Sequence, residues 1–441
     1  MVRLCPPVGE EGVGLPREDS PWPEIEIGQR KEETMVDDKN SIEVLIFGPG
    51  VMGSGLAQVF AQHGIRVGLV GRREASLRQG FERVEKSLEE GISKGVFSRA
   101  EAGQISKRIH GIVASPDFRG RVHDFPAVKL IIEAINEDFE TKKEWLQEID
   151  RDFPASVVLA MNTSSLDAEA LGLGLLHPER LIWTHFFYPP QKNKTVELSL
   201  LSKTSATTWR NTTDILNQTR RQVIQLKKYR RGGAANVIFI GLILEAFRLL
   251  EEGYASSIID EASRLACNTS FGLVTLLSAI GLKTCLSVAL SFSQTGHPAD
   301  PLFSAYDNFF SLPPRLHAWV KRGGEKSIED FIQEIEGTGR DHSLDPLILE
   351  LGRQRFQAVS FMTAAEVVEA GLIEPPDVDR LCQAAFGWPE GPFAMMNRLG
   401  LQTSLQMVTE RMELSHRLEV NFPVPRNLIE RAQKNEPWPL V

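Results

Sequence analysis

Hydrophobic residues follow two regimes along this chain. Up to about residue 230, short apolar runs with several β-branched members recur at 42–47, 65–70, 128–135 and 156–161. Runs that are apolar at every position are what strands buried on both faces of a parallel sheet require. Residues 181–183 begin a further strand, and 195–201 alternate apolar with polar. Helical patterns separate the strands, at 56–61 and 142–149. After Asn236 the pattern is helical, broken only by loop-like stretches at 293–300 and 323–343. This order predicts an α/β domain with a doubly wound sheet, followed by an all-helical half.

The first strand runs into Gly48, Gly50 and Gly53, spaced G-x-G-x-x-G, and Gly64 closes the helix before the second strand. The first glycine permits a tight turn, the second lets backbone approach a pyrophosphate, and the third lets helix and strand pack closely. A dinucleotide would lie against this turn and the first helical residues, Val51, Met52, Ser54 and Gly55, at the positive end of the helix dipole. The domain is therefore read as Rossmann-type. NAD-binding sites carry an acidic residue at the end of the second strand. Here that end reads Gly71-Arg72-Arg73. Loss of the carboxylate and gain of two guanidiniums favour a 2′-phosphate, so the pattern leans to NADP over NAD. Two solvated arginines beside Glu74 are the other reading.

At 441 residues the chain has room for two or three domains, and 42% hydrophobic residues supply their cores. A net charge of −9 without a basic block argues against nucleic acid or a membrane surface as partner. No run approaches the ~18 apolar residues of a membrane span. Cys5, Cys267, Cys285 and Cys382 are scattered, with no metal-ligand spacing, which suits free thiols in a reducing cytoplasm. Residues 1–40 are rich in Pro, Gly, Glu and Asp and read as a disordered tail. Residues 1–34 lack the apolar core of a signal peptide, and Met35 is a second candidate start. From Glu74 to about His110 the pattern is helical. Ser87 and Lys94, seven apart, share one helix face, where a lysine could meet a substrate phosphate. A solvated charged face is the plainer reading.

Taken in order, the glycine turn with Met52, the strand IIEAINE, the segment NTSSL, HFF-x-P and a glutamate twelve residues after the histidine form one set. The set resembles the 3-hydroxyacyl-CoA dehydrogenase family, over roughly residues 42–441. The resemblance implies that His185 is the general base for a 3-hydroxyl proton and that Glu197 orients and charges it. Such a base wants a pKa near 7 beside the substrate oxygen. It further implies that Ser164 and Asn236 lie near the substrate oxygen, Ser164 also near the cofactor. Glu137 and Lys142 would meet the cofactor, and Ser87 and Lys94 the CoA moiety. Two departures stand out. Tyr188 replaces the asparagine that usually follows H-F-F, and 231–236 read R-G-G-A-A-N where the family has a P-G-F-type entry. The second change predicts a smaller, more flexible pocket wall.

The helical half contains a diverged duplication. Gly253 and Gly272 are nineteen apart, Gly371 and Gly391 twenty; Gly272–Gly281 and Gly391–Gly400 are both nine. One inserted residue near Glu374-Pro375-Pro376 reconciles them. The expected organisation is a tail at 1–40, a dinucleotide-binding domain at 41–230, a first helical copy at 231–331, a linker at 332–344 and a second copy at 345–441. The family's helical domains pair across dimer interfaces, so a homodimer or an internally paired pseudo-dimer is expected. The reading is a nicotinamide-dependent dehydrogenase acting on an acyl-CoA. Its rivals are a same-fold dehydrogenase of a free hydroxy or sugar acid, and a dinucleotide-binding protein without catalysis.

Overall fold

The computed structural model describes residues 41–114, 124–293, 309–323, 327–336, 345–418 and 420–440. The tail read at 1–40 lies outside them. β1 (Val44–Phe47) leads through the glycine turn into α1 (Val51–Gln62), and β2 (Val67–Gly71) follows. Every residue of β1, β2 and β4 (Leu130–Glu133) is buried, as a central parallel sheet covered by helices demands. β5 (Val158–Met161), β6 (Leu181–Phe186), β7 (Thr195–Ser199) and β8 (Gln222–Gln225) complete one side, and β3 (Ile109–Val113) forms the opposite edge. The order is β3-β2-β1-β4-β5-β6-β7-β8; β7 runs antiparallel to β6 and β8 parallel to β7. The strand order reverses between β1 and β4, which opens the crevice where such sheets bind ligands. Gly48 sits there with φ +103°, and a Cβ on it would lie 2.2 Å from the carbonyl oxygen of Ala134.

The stretch read as helical from Glu74 to about His110 is two helices and the start of a strand. α2 (Glu74–Ser93) ends at Lys94, α3 (Arg99–Lys107) begins at a Ser98–Glu101 capping box, and β3 starts at Ile109. Being an edge strand, β3 buries only Ile109 and Ile112 and lacks the continuous apolar run of its neighbours. α4 (Phe139–Asp152), the short α5 (Ala168–Leu171) and α6 (Ala206–Gln218) pack on the sheet; α6 and β8 went unforeseen.

The second half is helical. α7 (Ala235–Glu252), α8 (Ser256–Cys267), α9 (Leu273–Ile280) and α10 (Leu282–Ser293) are followed by α11 (Pro314–Lys321) and α12 (Ile328–Glu336). α12 falls where a loop and the start of a linker were expected; residues 337–344 of that linker lie outside the described residues. Then come α13 (Pro346–Glu369), α14 (Pro375–Phe386), α15 (Pro392–Leu399), α16 (Leu401–Leu418) and α17 (Arg426–Lys434). α7–α10 and α13–α16 repeat one plan in detail. Gly253 and Gly371 both take positive φ, 100° and 68°, as do Asn268 and Gly387, 51° and 71°. Gly281 and Gly400 are nearly identical, with φ,ψ of 93°,128° and 92°,136°. Asp260 caps α9 through the Thr275 N–H, and Asp379 caps α15 through those of Phe393 and Ala394. α13 crosses between the copies, packing most heavily on α8 and α7. Among the described residues, no single helix is long and apolar enough to cross a membrane.

Candidate active site

The antiparallel pairing of β6 and β7 sets His185 directly opposite Glu197. The His185 Nδ1–H donates to Glu197 Oε2 at 2.8 Å. Both residues are buried, Glu197 completely. A carboxylate oxygen can only accept here, so the bond fixes the proton on Nδ1 and leaves the Nε2 lone pair free. The other carboxylate oxygen, Oε1, accepts from the backbone N–H groups of Ala234 and Ala235 at 2.9 and 3.0 Å, at the start of α7. The positive end of that helix therefore neutralises part of a charge that has no water around it.

Gly232 and Gly233 make this approach possible. Both are buried with φ of +77° and +69°, and a Cβ on Gly233 would lie 2.5 Å from Glu197 Oε2 and 2.8 Å from the Trp183 ring. The expected flexible wall is instead a close-packed one, because the missing side chain is filled by the glutamate and the indole. Trp183 stacks on His185 with ring centroids 5.6 Å apart, and its indole N–H donates to the Thr163 carbonyl at 2.9 Å. That contact brings the N-T-S-S segment to the histidine. The Asn236 amide donates to the Ser164 carbonyl at 3.5 Å, so these two residues are also together. Asn162 accepts from the Phe186 N–H at 3.1 Å and pins the end of β6.

Lys142 is placed behind Glu137. It is fully buried, with Nζ 2.7 Å from each Glu133 oxygen and 2.7 Å from Glu137. Burial opposes its charge, but Glu133 and then Glu137 outweigh this and raise its pKa. Glu133, the deeper carboxylate, is pushed up to about 7 by burial against the pull of Lys142. Glu137 also loses water, yet Lys142, Thr163 and Ser165 hold it below the ordinary value. Its Oε1 accepts from the Thr163 and Ser165 hydroxyls at 2.5 and 2.7 Å. Glu137 is thus the exposed tip of a rigid network, and Glu133 and Thr163 are its supports. Both lie inside motifs quoted from the sequence, IIEAINE and NTSSL, but the sequence alone assigns neither a role, because only the fold brings them to Lys142 and Glu137.

The glycine turn fits a dinucleotide. Gly50 precedes α1 without a side-chain cap, and a Cβ on it would meet nothing within 4 Å. The space is open to backbone approach, and Val51 beside it is half exposed. A Cβ on Gly53 would lie 1.9 Å from the Gly48 carbonyl oxygen, so this glycine serves helix–turn packing. Ser54 is buried and donates to the Pro49 carbonyl; Met52 packs against the core below. The Gly55 face is covered by Pro190 and Gln191. Arg72 and Arg73 are exposed at the start of α2. Ser87 accepts from the Gln191 amide at 3.4 Å. Lys94, at the end of α2, pairs with Glu90, which also pairs with Lys192 at 3.0 Å. Lys192 is a second cation at this spot, invisible in sequence because it lies on the loop between β6 and β7. Tyr188 is half exposed.

Comparison with known proteins agrees with this geometry. The model of the 3-hydroxyacyl-CoA dehydrogenase NAD-binding domain matches residues 43–229. That of the 3-hydroxyacyl-CoA dehydrogenase C-terminal domain matches 232–309 and 353–435, one stretch in each helical copy. A probable 3-hydroxybutyryl-CoA dehydrogenase of Bacillus subtilis is 28% identical over 67% of this chain and 98% of its own length. Human mitochondrial hydroxyacyl-coenzyme A dehydrogenase is 31% identical over 55% of this chain and 76% of its own. The crystal structure of an Escherichia coli 3-hydroxybutyryl-CoA dehydrogenase superposes with a TM-score of 0.71 over 90% of this chain and 99% of that one; at 19% identity this is a likeness of fold. With both family models matched in sequence order, and a buried histidine–glutamate pair within the first bonded to backbone at the start of the second, the chain belongs to the 3-hydroxyacyl-CoA dehydrogenase family of oxidoreductases.

Proposed function

We propose that this protein interconverts a 3-hydroxyacyl-CoA and a 3-oxoacyl-CoA, with His185 and Glu197 as the acid–base pair and NADP preferred over NAD. The observation that carries the mechanism is the Glu197 carboxylate, held by His185 Nδ1, Ala234 N and Ala235 N at 2.8, 2.9 and 3.0 Å. The bound nicotinamide supplies the hydride acceptor. His185 Nε2 takes the 3-hydroxyl proton as the C3 hydride departs, so no full alkoxide has to form. The resulting imidazolium is stabilised by Glu197, whose second oxygen is already satisfied by backbone. In the reverse direction the imidazolium returns the proton to the oxygen. Ser164 and Asn236, joined beside the histidine, are the groups to hydrogen-bond the reacting oxygen. Glu137, braced by Lys142, faces the cofactor. Ser87, Lys94 and Lys192 form the cationic and hydroxyl-bearing ledge for the CoA phosphates. Arg72 and Arg73 supply the charges for a 2′-phosphate.

Purified full-length chain, given acetoacetyl-CoA with NADPH or NADH, tests this. Oxidation of the nicotinamide with either reductant is expected, faster with NADPH. No turnover of any 3-oxoacyl-CoA, with turnover of a free 3-oxo acid, would overturn the substrate assignment.

A further inference from the structure

Three consecutive residues beyond the end of β5 carry hydroxyl groups, Thr163, Ser164 and Ser165, and they divide into two kinds. Thr163 and Ser165 are buried, and both hydroxyls donate to one atom, Glu137 Oε1, at 2.5 and 2.7 Å. The Ser165 N–H donates to the same oxygen at 3.1 Å. Ser164, between them, is partly exposed, and its hydroxyl makes no hydrogen bond among the described residues.

The sheet arranges this meeting. β4 and β5 pair in parallel with Glu133 opposite Met161, so Glu137 and the Thr163–Ser165 segment leave neighbouring strand ends together. An ionised carboxylate can only accept, so both flanking hydroxyls must turn their hydrogens to Glu137, and their side chains are held there. Thr163 Oγ1 keeps a lone pair for the Leu166 N–H at 3.0 Å, which closes the turn. The backbone of the segment is held from the other side, where Trp183 and Asn236 donate to the carbonyls of Thr163 and Ser164. Lys142 supports Glu137 from beneath. Its three N–H donors meet the two oxygens of Glu133 and Glu137 Oε2, each at 2.7 Å, so none is left for a ligand. The lysine therefore reaches the site only through Glu137.

We propose that Glu137, with Lys142 and Glu133 behind it, is a positioning residue for Ser164: by engaging the hydroxyls of Thr163 and Ser165, it fixes the turn from which the free Ser164 hydroxyl meets the reacting oxygen. The proposal rests on the dehydrogenase reading for the role of Ser164. Positioning and a direct contact of Glu137 with the cofactor differ in what they move. Positioning acts on kcat and vanishes once the Ser164 hydroxyl is gone, whereas a contact acts on dinucleotide affinity.

A double-mutant cycle in the full chain tests this. Ser165→Ala, Glu137→Gln and Ser164→Ala are made singly, and the first two again in the Ser164→Ala background. The kcat is measured with acetoacetyl-CoA and reduced nicotinamide, dinucleotide Kd by fluorescence titration, and folding by melting curves. Ser164→Ala is expected to lower kcat about a hundredfold, the low end for one donor to a developing oxyanion. Ser165→Ala and Glu137→Gln are each expected to lower kcat about tenfold with Kd kept within about twofold, and by less than about twofold when Ser164 is already alanine. Ser165→Ala leaves the contacts of Glu137 with Thr163 and Lys142 in place, and carries the test alone if Glu137→Gln does not fold. Equal losses in the two backgrounds, a wild-type kcat in Ser164→Ala or Ser165→Ala, or a fall in dinucleotide affinity in place of kcat would overturn the positioning role and leave the dehydrogenase reading standing. No turnover of any 3-oxoacyl-CoA by the wild type would overturn both.

Discussion

At the scale of single residues, the proposed chemistry turns on how few atoms separate His185, Glu197 and a helix end. His185→Ala is expected to lower kcat by about two to four powers of ten, the range for losing acid–base catalysis, while dinucleotide affinity is kept. Glu197→Gln should cost less and shift the pH–rate profile, because an amide can still orient the ring but cannot balance its charge. An active His185→Ala enzyme would contradict the mechanism. Gly233→Ala brings a methyl group within 2.5 Å of Glu197 Oε2 at a φ of +69°. A loss of about 1–3 kcal/mol in urea unfolding is expected from strain and overpacking, with a larger fall in kcat than stability explains. Glu133 gives a pH test. Its pKa rises from 4.5 to about 7 on folding, so the folded state binds its proton more readily than the unfolded state. Its contribution to stability therefore falls as pH rises between those values and is level above them. The stability of Glu133→Gln relative to wild type should grow over that interval, and a pH-independent difference would refute the assignment. For the cofactor, Arg72→Ala with Arg73→Ala should lower the kcat/KM preference for NADP by about one to two powers of ten, the worth of a charge-assisted bond. An acidic residue meant to reverse the preference belongs at Arg72. A Cβ on Gly71 would sit 2.9 Å from Leu77 and 3.0 Å from Pro49.

At the scale of elements, repeated local rules decide the helical half. In both copies a glycine lies so close to an aspartate that a Cβ could not fit, 2.0 Å from the Asp260 carbonyl oxygen at Gly272 and 2.2 Å from Asp379 Cγ at Gly391. Asp379→Ala strands two N–H groups at the start of α15 and should destabilise the protein by about 1–3 kcal/mol, measured by thermal or urea unfolding. These devices explain what the sequence could disclose. The duplication was legible because glycines needed for positive φ or close approach keep their spacing while apolar residues drift. The histidine and glutamate were legible through an ordered set of motifs; their spacing alone carries little, since only the β6–β7 register makes twelve residues mean adjacency. β3 and α12 were missed for a different reason. An edge strand is only partly buried and carries few apolar residues, and α12 is a short amphipathic helix inside a stretch whose sequence reads as loop. The Glu133 support is tertiary, and no local pattern announces it.

At the scale of the whole molecule, the two copies are joined around a buried carboxylate. Glu245 on α7 accepts from Arg355 Nε of α13 at 2.7 Å and from Arg411 of α16 at 2.7 and 2.8 Å. Arg355 also holds Glu252 at 2.7 and 2.8 Å. Burial works against the charge on Glu245, but the guanidiniums prevail and lower its pKa. Arg411→Ala leaves part of that charge unpaired and should cost about 3–5 kcal/mol by unfolding measurements. Truncation after Gln333 removes both arginines and uncovers the apolar faces of α7 and α8, so light scattering should report aggregation. A soluble, monomeric, fully active fragment would show that the second copy is dispensable. The arrangement is also one-sided. Counting from the matching glycines, the place of Glu245 in the second copy is Thr363, and those of Arg355 and Arg411 in the first are Val237 and Phe292. The first copy supplies Glu245 with its own Arg248, 3.4 Å away, and the second supplies Arg355 and Arg411, so the two faces differ. In a symmetric dimer one codon serves both faces of an interface, and every substitution arrives twice. Here each face has its own codon, and a change on one can be answered on the other while the first stands still. Two copies in one chain can thus drift apart at this interface while the first keeps its backbone hold on Glu197.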